Sequence, residues 1–201
     1  MTLLGPEPEG ATAFGPDDIE GLRLSYISTR AQLDAAEFDN IASAGERAMR
    51  RSRRGPTEVL TVGFLLDLHK AMFGQVWDWA GIWRHRVTNI GVDWPLIPQD
   101  VANALADALY WHEHKMYDSD GIAARVHHRL AQIHPFPNGN GRIARYMADL
   151  YLVSVGVEPF AWGRDTGQLG VSGDVRSRYI GILRATDTTG DYQAMIDFAR
   201  S

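Results

Sequence analysis

The chain has 201 residues, 45% hydrophobic and 22% charged, with a formal net charge of −5. That is long enough for one sizeable domain with its own core, and the composition is that of a globular rather than a disordered protein. It holds no cysteine, which excludes a disulfide framework, a thiolate metal site and a cysteine nucleophile, and suits the cytosol.

In chain order, residues 1–21 carry proline, glycine and acids and are expected to form a poorly ordered extension ahead of a single domain over 22–201. The opening MTLLGPEPEG lacks a basic stretch followed by an apolar one, so it does not read as a signal peptide. No apolar run approaches the ~18 residues of a membrane span. Ser28 is the expected cap of a helix reaching Arg53. The arginines between Arg47 and Arg54 read as its solvated C-terminal end, where cations suit the helix dipole, rather than as a nucleic-acid patch. Thr61 is expected to cap a helix with Leu65, Leu68, Met72 and Phe73 on one face, ended by Gly74.

The stretch from Arg84 to Pro98, RHRVTNIGVDWPLIP, breaks the helical pattern. Its β-branched residues and turn formers predict a short hairpin or extended loop. Pro98 then opens a helix with Val101, Leu105, Ala108 and Leu109 at helical spacing. Asp120 is the expected cap of the next, burying Ile122, Val126, Leu130 and Ile133. Ile143, Met147, Leu150 and Tyr151 form the stripe of a fifth. Shorter helices fit 174–187 and 191–200, with Asp174 and Asp191 as caps. The fold class is mainly α with one small β element.

Between the fourth and fifth helices lies IHPFPNGNGRIAR, Ile133 to Arg145. Pro135 biases His134 away from helical geometry, and Pro137 stiffens the turn. Gly139 and Gly141 allow left-handed dihedrals and let a ligand approach the backbone. A helix then begins with unpaired N–H groups and the positive end of its dipole. Asn140 adds a carboxamide, and Arg142 and Arg145 add guanidinium groups about one turn apart. These parts describe a site for more than one phosphate, with His134 beside it as a proton acceptor suited to neutral pH. The layout serves transfer of a phosphorus group to a hydroxyl. No GxxxxGK[ST] is present, so the phosphate loop of that other class is excluded.

The histidines His127, His128, His112 and His114 lack a carboxylate at ligand spacing and read as packing or surface residues. Trp77, Trp79 and Trp83 read as core anchors beneath the loop that follows them.

HPFPNGNGRIAR resembles the signature of Fic-domain proteins, HxFx[D/E]GNGRxxR, at His134, Phe136, Gly139, Asn140, Gly141, Arg142 and Arg145. FLLDLHKAMFGQVWDWAGIWR is similar to the family's upstream helix and WAG turn, and NIGVDWPLIP to its flap hairpin. With GVEPFAWG, the chain most resembles the subgroup called mobile mystery protein B. The resemblance implies a Fic-type helical bundle with a small β-hairpin flap. It also implies a nucleotidyltransferase that moves AMP from ATP to a Ser, Thr or Tyr hydroxyl of a target protein.

In that reading His134 takes the proton and Phe136 anchors the loop. Gly139, Asn140 and Gly141 hold the α/β phosphates, Arg142 the β-phosphate, and Arg145 the β/γ end or a regulatory carboxylate. Asn89, Ile90, Gly91, Val92, Asp93 and Trp94 form the flap that binds target backbone. Asn138 stands where the family has the acid that binds Mg²⁺, so metal use, the choice of nucleotide or transferred phosphate, and catalysis itself stay open, including a nucleotide-binding regulatory module. The family's inhibitory pattern [S/T]xxxE[G/N] is missing, ASAGERA (Ala42 to Ala48) coming nearest. Inhibition is therefore expected from a separate antitoxin-like protein in the cytoplasm.

Overall fold

Side-chain caps start three of the longer helices in this computed structural model, which describes residues 14–164 and 173–201. Thr29 opens α2 (Arg30–Ser52): its hydroxyl accepts the Gln32 N–H at 3.3 Å, and the Gln32 side chain accepts the Thr29 N–H at 3.2 Å. The cap falls one residue after Ser28 because Gln32 stands three residues from Thr29, the spacing that a reciprocal capping box needs. Thr61 caps α4 (Val62–Phe73) through the Phe64 N–H, and Gly74 ends it, as the sequence predicts. Between them, α3 (Pro56–Val59) is a single turn with proline at its start.

Past a 3-10 turn at Trp94–Leu96 runs α5 (Ile97–Glu113). Asp118, not Asp120, caps α6 (Ser119–Ile133), accepting the Gly121 N–H at 2.7 Å. Asp120 is drawn instead into an ion pair with Arg200, which fastens the start of α6 to the last helix. Then come α7 (Asn140–Ser154), α8 (Gly173–Thr189) and α9 (Gln193–Arg200). Asp191 does accept the N–H of Gln193. The predicted start at Asp174 adjoins residues outside the described range.

The central pair is α6 and α7, which pack most extensively on each other, with α5 against α6 and α2 against both α4 and α7. Phe64, Leu65, Met72, Phe73, Trp77, Phe136, Ile143 and Met147 are buried at their junction. Each such large side chain contributes about 2 kcal/mol relative to exposure. No helix among the described residues is long and apolar enough to cross a membrane.

The predicted hairpin is corrected by the structure. Among the described residues the only paired extended backbone is an isolated bridge between Leu22 and Trp77, and 83–93 is an irregular loop. Its backbone groups are taken up by the Arg84 side chain and by the end of α6. The Arg84 guanidinium takes the carbonyls of Arg86 and Val92, and the Val92 N–H donates to Ile133 O at 3.3 Å. Groups so engaged cannot form a strand ladder.

Of the expected N-terminal extension, residues 1–13 lie outside the described range. Phe14 stacks on Trp77 with centroids 5.0 Å apart. A one-turn helix α1 (Pro16–Glu20) follows, and its Asp18 pairs with Arg86 at the base of the flap.

Candidate active site

The chain reverses between α6 and α7 in six residues, and His134 makes the first turn. It is the C-cap of α6, in the left-handed region at φ 54°, ψ 59°, with its N–H on Leu130 O at 3.1 Å. A non-glycine residue held there costs roughly 1–3 kcal/mol, so the surroundings must enforce it. Its ring is buried, and that burial, aided by Arg84, pushes its pKa down to about 4. At neutral pH the imidazole is uncharged. Nδ1 lies 3.4 Å from Ala131 O, and because a carbonyl only accepts, that contact places the proton on Nδ1. Nε2 is then the lone-pair nitrogen, the form a general base requires.

Phe136 is fully buried and lies flat on the His69 ring, centroids 3.6 Å apart. His69, on α4, is itself completely buried, which drives its pKa to about 3. It therefore carries one proton and spends both nitrogens: Nε2–H donates to Asn138 O at 3.2 Å, and Nδ1 accepts the Gly81 N–H at 2.9 Å. One side chain thus joins the WAG turn to the motif loop.

Asn140 closes the loop. Its Oδ1 accepts the Phe136 N–H at 2.9 Å, and its Nδ2 donates to Phe136 O at 2.8 Å. The carboxamide is therefore committed to loop shape. The backbone N–H groups of Asn140 and Gly141 precede the first helical bonds of α7, those from Arg142 and Ile143 to Gly139 O, and so stand at the positive end of the helix dipole. Gly139 must be glycine: its φ is +79°, and a Cβ would stand 2.7 Å from the Phe73 ring.

Arg142 lies over the Phe73 ring at 4.7 Å and pairs with Glu37 of α2, whose carboxylate is buried. Arg145 reaches back toward Gly141, its Nη1 3.7 Å from where a Cβ would sit, and lies against Tyr179 of α8. The Tyr179 hydroxyl is 2.9 Å from Nε2 of the buried His127. Asp149, the acid four residues after Arg145, accepts instead from Phe160 N and Trp162 Nε1. Burial raises its pKa to about 7.

Asn138 is a poor match for the donor set of a magnesium site. Its Oδ1 accepts the Gly139 N–H at 2.7 Å, its carbonyl is held by His69, and it brings no charge. Mg²⁺ asks for one or two carboxylates beside phosphate and water oxygens. Among the described residues no group of three acids, histidines or cysteines could hold a metal. His128 is engaged by Asp187 and Tyr192.

The 89–94 loop passes directly against His134. Asn89, Ile90, Gly91, Asp93 and Trp94 are exposed, and Val92 is half-buried. A Cβ on Gly91 would stand 2.8 Å from His134 Cβ. Sequence reasoning passed over Glu37, His69, Arg84 and Tyr179. For Glu37 a signal was present: it shares helical spacing with Leu33, Asn40 and Ala44, and an acid on a buried stripe demands a partner.

Two helices, α6 and α7, joined by a buried, glycine-bearing loop with a histidine at its head form the frame of the site. The Fic/DOC family model matches residues 59–152, and the chain carries that family's domain there. It is 31% identical over 105 residues to protein adenylyltransferase fic-1 of Caenorhabditis briggsae, covering 50% of this chain and 20% of that one. It is 26% identical over 183 residues to protein adenylyltransferase Fic of Drosophila virilis, covering 87% and 36%. The chain thus spans between a fifth and about a third of the length of these relatives.

Among solved structures, a Fic domain-containing signaling protein from Bacteroides thetaiotaomicron superposes with a TM-score of 0.64 at 19% identity, covering 82% of this chain and 62% of that one. BepC of Bartonella tribocorum, solved with bound AMPPNP, gives 0.62 at 16%, covering 98% and 94%. At these identities the likeness is one of fold.

Proposed function

We propose that the chain is a protein adenylyltransferase, moving AMP from ATP to a Ser, Thr or Tyr hydroxyl of a target protein. The hydroxyl oxygen attacks the α-phosphorus, and its proton passes to His134 Nε2. The bond from the α-phosphorus to the bridging β-oxygen breaks, and pyrophosphate leaves. The observation that carries this reading is a neutral, rigidly placed His134 at the head of the loop whose far end is the α7 N-terminus. Asn140 and Gly141 offer N–H groups to the phosphates, Gly139 clears the approach, and Arg142 and Arg145 hold the β and γ groups. With no carboxylate in the loop, charge developing on the phosphates falls to these groups. The names carried by the animal relatives support the same reaction class.

The flap, Asn89 to Trp94, takes the target backbone through main-chain hydrogen bonds. A separate inhibitory protein, membership of the mobile mystery protein B subgroup, a single domain from residue 22 and a cytoplasmic site of action complete the proposal.

Asn138 favours a second reading, in which another nucleotide or phosphate is transferred, or the nucleotide is bound without chemistry. ATP labelled at the α- or the γ-phosphate, incubated with the protein, Mg²⁺ and lysate, separates the readings. α-Label on protein supports AMP transfer, and γ-label alone supports phosphorylation. Tight ATP binding with neither label sinks both transfer reactions.

A further inference from the structure

Arg84 is 1% exposed, and its guanidinium meets carbonyl oxygens rather than a carboxylate. Burial, then the neighbouring Arg86, pushes its pKa down, while Asp93 pulls it up. An arginine stays charged at neutral pH, so this cation needs full hydrogen bonding.

The bonds go two ways. Nε donates to His134 O at 2.7 Å and Nη2 to Ile133 O at 3.3 Å, at the end of α6. Nη1 donates to Arg86 O at 2.8 Å and Nη2 also to Val92 O, on the two arms of the flap. The last carbonyls of a helix carry the negative end of its dipole and so offset the charge. Backbone bonds reinforce the join: Arg84 N–H to Pro135 O at 2.9 Å and Val92 N–H to Ile133 O at 3.3 Å. Gly91, at φ +116°, lets the flap pass so close that a Cβ would stand 2.5 Å from Nη2 of Arg84. Only a planar, multi-donor group can reach carbonyls on both sides at once; a lysine ammonium is a point charge.

We propose that Arg84 is the positioning residue that binds the flap and His134 into one unit, so that target backbone laid on the flap meets the base at a fixed place. The functional half of this inference rests on the AMP-transfer reading; the mechanical half does not.

The test uses the full chain with Arg84→Met and Arg84→Lys. Hydrogen exchange is followed in peptides covering 86–92 and 131–136, beside the Kd for ATP and the rate of α-label incorporation into the protein itself. Exchange in both peptides is expected to rise together by about ten-fold, with α2 and α5 unchanged. The Kd for ATP should stay within about two-fold, while labelling falls by about 100-fold, the effect of a small misplacement of a reacting group. Should Arg84→Met fail to fold, Arg84→Lys, which keeps the charge and loses the fork, gives the same readouts. Loosening of only one of the two peptides, or unchanged labelling with both loosened, overturns the proposal. A parent chain that transfers α-label neither to itself nor to lysate protein sinks the AMP-transfer reading, and the exchange result still decides for or against Arg84.

Discussion

Glu37 on α2 holds Arg142 on α7 across 105 positions of sequence, with its other oxygen on Trp77 Nε1 at 2.7 Å. The carboxylate side chain is 3% exposed and the guanidinium 33%. The pair therefore sits at the boundary between the core and the motif loop, where it fixes the direction of the arginine.

Glu37→Ala leaves the Trp77 N–H buried without an acceptor and frees Arg142. A loss of about 2–3 kcal/mol is expected, since one orphaned buried donor costs about 1–3 and the half-exposed arginine adds little. Glu37→Gln, which keeps an acceptor, should lose less. Urea unfolding midpoints at constant slope check the order of the two variants.

The Asn140 bracket predicts a coupled defect. Asn140→Ala removes partners from both the N–H and the carbonyl of Phe136, and a loss of about 2–4 kcal/mol follows. ATP affinity should fall with it, because the Asn140 and Gly141 amides lose their aim. Thermal melting and calorimetric titration with ATP report the two effects; intact ATP binding in a destabilised variant would contradict the role given to the bracket.

Buried histidines make stability acid-sensitive. His69 and His127 are pushed to about 3 and His134 to about 4, all from 6.5. Below pH 6.5 the unfolded chain binds protons that the folded chain refuses, so their contribution is complete above 6.5 and is lost as pH falls toward these values. Each contributes up to about 1.4 kcal/mol per pH unit in that window. Asp149, raised from 3.8 to about 7, acts in the opposite sense between those values and cancels part of the slope. Unfolding free energy should therefore fall between pH 6.5 and 4.5, and His69→Gln should flatten the curve.

The same low value for His134 predicts the pH profile of transfer. The acid limb of kcat/KM should break near pH 4 to 5 rather than near 6.5, because the base stays unprotonated that far down. His134→Ala should abolish labelling and spare ATP binding. Full activity in that variant would remove the histidine from the mechanism.

Asn138→Asp tests the metal question directly. It restores a carboxylate one residue before Gly139, in a loop otherwise unchanged. Rate against Mg²⁺ concentration should be shallow in the parent and steep in the variant. Equal dependence in both would mean that the phosphates alone set metal affinity.

The starts of the capped helices were readable to within a residue or two. Thr61 and Gly74 bracket α4 as predicted, and the apolar stripes of α5, α6 and α7 follow their 3.6 spacing. Family and motif loop were equally plain, because a long ordered string encodes both. The flap was not. Its turn formers promise a hairpin, and only Arg84, sitting outside the turn, reveals that the carbonyls are spoken for. Asn140 was expected to face phosphate, and its carboxamide is instead committed to the Phe136 backbone. Side-chain bonds to backbone groups leave no periodicity to read.

His69 reaches Asn138 across 69 residues, Arg84 reaches His134 across 50, and Glu37 reaches Arg142 across 105. The recognisable thirteen-residue string is thus held in shape by α2, α4 and Arg84, all of which precede it in the chain. A fragment from residue 97 onward would keep every letter of the signature and none of the three struts. Mixed with a second fragment ending at 96, it should regain ATP binding only as the two halves associate.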